Sequence, residues 1–414
     1  MNPAFTALEM LSADIIRFIQ EHQETDPQRL TLAGKDIFGY PASFVADQIG
    51  ARQRQPKRLP TFVGDARTIF PPARNLEQCS SEATAGIKAG LILEWSTGKP
   101  LRHLTDLTAG FGIDAFAFSG IFERVTLVEP DERLLRIAAH NFQLFGKHHA
   151  EFINATAAEH LTRTSSAPDW VYVDPSRRDQ GRRVFRLEDC EPDMTALAPL
   201  MSNDGHEPEI LLKASPMADI TQVMRALPGV AHIAVVAVTN ECRELLFHIR
   251  RHHTEPVEII CLDLRRNGSV SRFSFTREEE QYAEPAYAEP MRYLFEPNAA
   301  ILKAGAFKLL AERTGLHRMD PNTHLLTGDT LPEGFPGRVL EIIRPIGDRE
   351  PDLAADVLVR NHPLRPSEVV RRYGFREGGA DVVVAFRSRT KKFVLLTRRT
   401  GAPDPSTPGQ PKKE

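Results

Sequence analysis

Between Leu101 and about Ala214, short apolar runs alternate with stretches of helical spacing, and that rhythm limits the folds open to the chain more than any other feature. "HLTDL", "RVTLVE", "AEFIN", "DWVYVD" and "EILLKA" read as buried strands, with helices expected from about Ile113 and over "DERLLRIAAHNFQLF". Strands separated by helices pair in parallel, so the expected fold class is α/β with a doubly wound, Rossmann-like sheet. After a further helix, "HIAVVAVTN", "RELLFHIRR" and "VEIICLDLRR" follow one another closely, which predicts antiparallel pairing at the sheet edge.

The flanks differ from this centre. Up to about residue 95 the chain is expected to be helical, with "LEMLSADIIRFI" and "SEATAGIKAGLILEW" carrying apolar residues at helical spacing. Acidic and basic residues inside the first of these patterns exclude a secretory leader, and no run is apolar enough to span a membrane, so a cytoplasmic protein without a membrane partner is expected. The sheet domain is expected over 96–266. Beyond Asn267 the rhythm breaks into smaller α+β domains, expected over 267–320 and 321–400, with "YLFEPNAAILKAGAFKLLAERTGL" read as a helix with an extended entry. Residues 401–414 have the composition of a disordered tail. Four scattered cysteines without metal-ligand spacing predict reduced thiols and no metal. From Arg360 onward there are 13 Lys/Arg against 5 Asp/Glu in a chain of net charge −3, so the positive charge gathers at one end, as a solvated face or as a nucleic-acid contact.

The first strand runs into "DLTAGFGIDAFAFSG", an acid and two close glycines before a helix. In open α/β sheets ligands bind at the carboxyl ends of the strands, and the first strand–helix turn supplies the site. Gly110 to Ala115 satisfies G-x-G-x-x-G/A, the dinucleotide pattern, with Glu129 placed for a ribose; the glycines could also serve only the tight turn. Asp106, four residues before Gly110, makes the pattern D-x-x-x-G-x-G of enzymes that use S-adenosylmethionine (SAM), and a dinucleotide has no need of that acid. SAM carries an ammonium and a sulfonium. A carboxylate at Asp106 suits the methionine portion, Gly110 and Gly112 admit it without Cβ clashes, and Glu129 is placed to accept both ribose hydroxyls. Asn154, after the third strand, is placed either for the adenine edge or for an ordinary turn.

The fourth strand ends "DWVYVDPSRRDQGRR". Asp174 and Pro175 stand where such an enzyme presents the groups that position the acceptor, and they are the catalytic candidates. No aromatic follows to stack a base, and "LLKASPMADI" offers Ser215 where a covalent nucleophile would be a thiol, which disfavours carbon methylation. Cys190, in "LEDCEPDM", is read as a buried residue at a helix start. Arg177 and Arg178, with Arg182 and Arg183, form a basic loop suited to phosphate contacts or to solvent.

"NLEQCSSEATAGIKA", "DLTAGFGIDAF", "VDPSRRD", "LLKASPMADI", "NECRELLF", "EPNAAILKAGAF" and "FPGRVLEI" together resemble the bacterial class I SAM-dependent methyltransferases that carry a small ferredoxin-like insert and a THUMP-like carboxyl-terminal domain. The resemblance covers roughly Asn75 to Ile342. It implies a SAM domain followed by an RNA-binding-like module. It also implies that "EQCSS" covers the methionine end of the cofactor, which adds Gln78 and Ser80 as cofactor candidates; the other role for this segment is a helix N-cap at Ser80 or Ser81. The expected function is methyl transfer from SAM to a nitrogen or ribose oxygen of structured RNA, without a metal. The alternatives are an RNA-binding adaptor that keeps a SAM pocket and an NAD-binding oxidoreductase.

Overall fold

The computed structural model describes residues 11–163, 168–177, 190–194 and 207–400. These fall into two compact units, one holding the residues up to Lys213 with Ile249–Arg251, the other holding Ala214–His248 and the residues from His252 onward.

In the first unit, six helices precede the first strand: α1 (Ala13–Glu21), α2 (Pro27–Ala33), α3 (Ala42–Arg54), α4 (Pro60–Gly64), α5 (Ala73–Gln78) and α6 (Glu82–Trp95). Ser12 caps α1 and Ser81, not Ser80, caps α6 by accepting the Thr84 N–H. Strands β1 (His103–Asp106), β2 (Arg124–Val128), β3 (Ala150–Ile153), β4 (Trp170–Val173) and β7 (Glu209–Ala214) lie in the order β7-β4-β1-β2-β3, and every pair among them is parallel. Helices α7 (Ile113–Phe118), α8 (Glu132–Leu144) and α9 (Ala157–Arg163) connect them. Parallel strands all end on one edge, so Asp106, Glu129, Asn154 and Asp174 come to that edge although they lie up to 68 positions apart in the sequence. The two-residue strands β5 (Ser176–Arg177) and β6 (Cys190–Glu191) pair antiparallel beyond β4. Cys190 is buried as expected, but on a strand rather than at a helix start, because it pairs with Arg177.

The helical preface forms part of the site's foundation. Phe111, between the two glycines, is buried in the aromatic core of α3 and α4, with Phe62 at 5.5 Å and Phe70 at 6.1 Å. The Asn141 side chain on α8 closes both the N–H and the C=O of Ile69, so the segment carrying Phe70 is tied to the sheet's own helix. The N-terminal layer thereby clamps the glycine turn from behind.

In the second unit, β8 (Val230–Val238) and β9 (Glu241–Ile249) are neighbours joined through Thr239 and Asn240, both at positive φ, the geometry of a tight two-residue hairpin. β10 (Glu258–Leu264) pairs parallel with β8 rather than antiparallel with β9, and the antiparallel edge is made by β11 (Val270–Thr276) on β10. Helix α10 (Ile220–Ala226) precedes β8 and α11 (Arg277–Tyr282) follows β11. A second sheet of eight strands follows, ordered β13-β14-β12-β15-β19-β18-β16-β17. Its strands are β12 (Tyr293–Pro297), β13 (His317–Asp320), β14 (Thr323–Gly328), β15 (Gly337–Pro345), β16 (Ala354–Arg360), β17 (Arg376–Glu377), β18 (Asp381–Arg387) and β19 (Lys392–Arg399). The single helix expected after β12 is two, α12 (Ala299–Ala304) and α13 (Lys308–Thr314), because Gly305 takes a left-handed conformation and ends the first. Helix α14 (Pro366–Tyr373) packs Val369 into the apolar cluster with Val383 and Leu396.

Candidate active site

The turn after β1 is locked to both neighbouring strands. Leu107 N–H donates to the Tyr172 carbonyl at 3.0 Å and Ala109 N–H to the Val128 carbonyl at 3.1 Å. The two glycines do different work. Gly110 has φ +53° and nothing closer than 4.0 Å where a Cβ would stand, so its face is open to a ligand. Gly112 has φ +84°, and a Cβ there would meet Phe142 at 3.2 Å and Leu127 at 3.3 Å, so its bareness serves the packing of α8 on β2.

Glu129 belongs to the same turn. One carboxylate oxygen accepts the Gly110 N–H at 2.9 Å and the other accepts the Asp131 N–H at 2.9 Å. Asp131, not Glu129, caps α8, which leaves Glu129 available to a ligand at the edge. Burial raises its pKa above the usual carboxylate range, against the pull of those two N–H donors. Asn154 donates its side-chain amide to the carbonyls of Glu129 and Pro130, both at 3.0 Å, so it closes the turn that presents Glu129. Asp106 is 1% exposed. Its carboxyl accepts the Thr108 N–H at 2.9 Å, yet burial, with Asp114, Asp174 and Glu129 nearby, pushes it well above the usual range. Such a carboxyl gains most from a cation placed beside it.

The structure adds a buried polar network that the sequence patterns do not mark. Asp114 on α7 accepts from Ser80 Oγ and from Tyr172 Oη, both at 2.8 Å, and lies 3.2 Å from the ammonium of the fully buried Lys88. Burial works to raise the Asp114 carboxyl, but Lys88, Lys213 and the two hydroxyl donors outweigh it and hold it below the usual range. Ser80 also accepts from Lys88 and Lys213, each at 3.3 Å. Lys213, near the end of β7, donates to Asp174 Oδ2 at 2.6 Å. Thr108 Oγ1 accepts the Asp174 N–H at 2.7 Å and lies 3.4 Å from Asp106, so it bridges the two acids.

The expected residues therefore separate into groups. Asp106, Gly110 and Glu129 line one end of the edge; Asp174, with buried Pro175 after it, stands at the other, joined to Ser80 through Lys213. Gln78 is exposed at the end of α5. Arg177 is on β5, while Arg178, Arg182 and Arg183 lie outside the described residues. Burial pushes the Cys79 thiol up to about 11, which keeps it protonated and unsuited to nucleophilic attack. No group of three or more His, Cys, Asp or Glu among the described residues could hold a metal ion.

A parallel sheet ordered in this way, with an acid ending β1 and an open glycine in the turn after it, an acid after β2 and Asp-Pro after β4, defines a methyltransferase that uses SAM. Known proteins agree with this reading. A crystal structure from Porphyromonas gingivalis W83 described as a "putative methyltransferase" superposes with a TM-score of 0.82 at 31% sequence identity, over 94% of this chain and 98% of that one. Two uncharacterized S-adenosylmethionine-dependent methyltransferases of Mycobacterium tuberculosis, from strains CDC 1551 and H37Rv, are 25% identical over 296 residues, which is 69% of this chain and 77% of theirs. Residues 293–336 match the model of a ferredoxin-like domain. The chain belongs to the family of SAM-dependent methyltransferases represented by the P. gingivalis protein. SAM is thus the cofactor, and the nicotinamide reading of the glycine turn is set aside.

The donor set fits that cofactor. A carboxyl raised by burial and by its acidic neighbours, an open glycine and a second acid at the adjacent strand end are what a ligand with an ammonium, a sulfonium and a ribose requires.

Proposed function

We propose that the chain methylates a nitrogen or ribose oxygen of structured RNA. The observation that carries this reading is the Lys213–Asp174 pair, 2.6 Å apart, with about a third of the Asp174 side chain exposed at the edge that also presents Gly110 and Glu129. Bound SAM supplies an activated methyl carbon. The chain supplies position: Asp106 and Glu129 hold the cofactor's polar groups, and Asp174 with the Pro175 carbonyl orients the acceptor and takes hydrogen bonds from it. Ser80, Lys88 and Asp114 keep Lys213 in place from behind.

RNA is supported by the distribution of basic groups. Part of the basic end is committed internally: Arg360 pairs with the buried Glu296, Arg398 with Asp381 and Arg399 with Asp356. Of the rest, Arg365, Arg371, Arg372 and Arg376 are exposed on and beside α14, and four more, Arg387, Arg389, Lys391 and Lys392, are exposed together at the turn between β18 and β19. Glu289 braces this turn by accepting from Ser388 and Thr390, and Arg389 lies 3.4 Å above the Tyr287 ring. Four exposed cations on a braced turn suit phosphates, and we assign the THUMP-like role, capture of structured RNA, to this sheet. The test is mass spectrometry of nucleosides from cells with and without the protein. A methylated nucleoside that disappears with the gene supports the reading, and an unchanged RNA profile opposes it.

A further inference from the structure

We infer that the acceptor is a hydroxyl, in RNA the ribose 2′-hydroxyl, and that Lys213 is the residue that makes it one. This rests on the proposed RNA substrate for its macromolecule, while the choice of oxygen over nitrogen rests on charge. A neutral amine gains positive charge as it attacks a methyl sulfonium. An ammonium at the acceptor's side opposes that development, since like charges at close range in a partly buried site repel strongly. A hydroxyl behaves in the opposite way, because its competent form approaches the alkoxide and an adjacent ammonium stabilises the growing negative charge.

Lys213 is placed for this work. Its side chain is 14% exposed and reaches Asp174, whose own side chain is 34% exposed, so the pair stands at the accessible edge. Lys88 is fully buried behind it and is matched by Asp114 at 3.2 Å, while Lys213 is matched by Asp174 at 2.6 Å; once Asp174 takes the hydroxyl proton that match is lost, and the Lys213 ammonium faces the acceptor oxygen. In the transfer, the acceptor oxygen forms the bond to the methyl carbon as the sulfur–carbon bond breaks and leaves its electron pair on sulfur. The hydroxyl proton passes to the Asp174 carboxylate, from whose exposed part it leaves to water, and Lys213 remains an ammonium throughout.

Two measurements test this. In the first, the full chain is incubated with methyl-tritiated SAM and total RNA from cells lacking the protein, and the RNA is hydrolysed with alkali. A 2′-O-methyl group blocks cleavage of its own linkage, so label in alkali-stable dinucleotides is the expected result. Label in mononucleotides overturns the hydroxyl assignment while sustaining RNA as substrate; an unlabelled RNA pool overturns the RNA reading instead. The second measurement needs no turnover and compares binding of S-adenosylhomocysteine with that of sinefungin, which bears an amine near the position of the transferred methyl. In Lys213→Met, sinefungin should gain on S-adenosylhomocysteine by about tenfold, since an opposing ammonium is gone, and in Lys213→Arg the ratio should stay as in the native chain. A ratio unmoved in a folded Lys213→Met variant overturns the role of Lys213; if that variant does not fold, the alkali experiment on the native chain decides the acceptor.

Discussion

The carboxylate of Glu129 accepts the backbone N–H of Gly110 at 2.9 Å, so the acid after β2 and the open glycine after β1 are held as one unit. The adjacent strand ends are in register, with Asp106 opposite Leu127, and the bond closes the gap between them. A ligand that contacts one of these residues is presented with the other.

The two glycines of this turn should respond differently to a methyl group. Gly112→Ala places a Cβ against Phe142 and Leu127 at a backbone angle that side chains avoid, so it should cost about 2–4 kcal/mol in denaturant unfolding of the free chain. Gly110→Ala meets open space and should cost about 1 kcal/mol, while weakening S-adenosylhomocysteine binding measurably. Equal stability losses in the two variants would contradict the division between a packing glycine and a ligand-facing one.

Asp106→Asn should make the free chain more stable at neutral pH and a poorer binder. Burial raises the Asp106 carboxyl above its ordinary 3.8, so the folded chain holds a proton that the unfolded chain releases, and stability falls as pH rises through that range. The variant removes the penalty. Its melting temperature should exceed that of the native chain at pH 7, by roughly 2–4 °C for each kcal/mol relieved, and the difference should shrink toward pH 4. The same variant should bind S-adenosylhomocysteine about tenfold or more weakly, as expected for loss of a charge-assisted hydrogen bond.

His103 introduces an acid sensitivity of opposite sign. Arg124 can only donate, so His103 Nδ1 accepts from it at 3.0 Å and Nε2 carries the proton toward Thr126 Oγ1 at 2.9 Å. Burial, reinforced by Arg124, lowers the imidazole from 6.5 to about 4. The unfolded chain takes up the proton first, so stability should fall as pH drops from 6.5 toward 4. Melting curves of the native chain and His103→Gln across that window measure the effect, and the native chain should lose more.

Legibility in the sequence depends on the span of each relation. Asp106, Gly110 and Glu129 follow from a local strand–turn–helix pattern, and parallel pairing then carries them to one edge. Lys213, Ser80, Lys88 and Asp114 form a network with no local signature, because their meaning lies in distant partnerships: Lys213 meets Ser80 across 133 positions of sequence. Ser80 is reached only through the resemblance of "EQCSS", and the lone Lys88 within the apolar face of "SEATAGIKAGLILEW" is the other usable sign, since a buried lysine needs a carboxylate. The parallel pairing of β10 is hidden for another reason, since a short connection is compatible with skipping a hairpin. Thr239 and Asn240 use the tight turn to place β9, and β10 returns to the free side of β8.

The exposed turn between β18 and β19 should carry the salt-sensitive part of RNA binding. Replacing Arg387, Lys391 and Lys392 with alanine should flatten the dependence of affinity on salt, by about 0.7 in log–log slope for each phosphate of single-stranded RNA that is no longer neutralised. Arg398→Ala with Arg399→Ala should instead lower stability, because those side chains pair with Asp381 and Asp356. Filter-binding titrations at several salt concentrations separate the two groups, and an unchanged slope in the triple variant would remove this turn from the RNA surface.

One strand edge holds both Glu129 with Gly110, proposed above to hold the cofactor, and Asp174 with Lys213, proposed to meet the acceptor. Calorimetric titration of S-adenosylhomocysteine into Glu129→Gln and Asp174→Asn tests this division most directly. Loss of about 1.5–3 kcal/mol of binding free energy in Glu129→Gln is predicted, the worth of a hydrogen bond to a charged group, with Asp174→Asn within about 0.5 kcal/mol of the native chain. Native affinity in Glu129→Gln, or an equal loss in both variants, would contradict the division of the site.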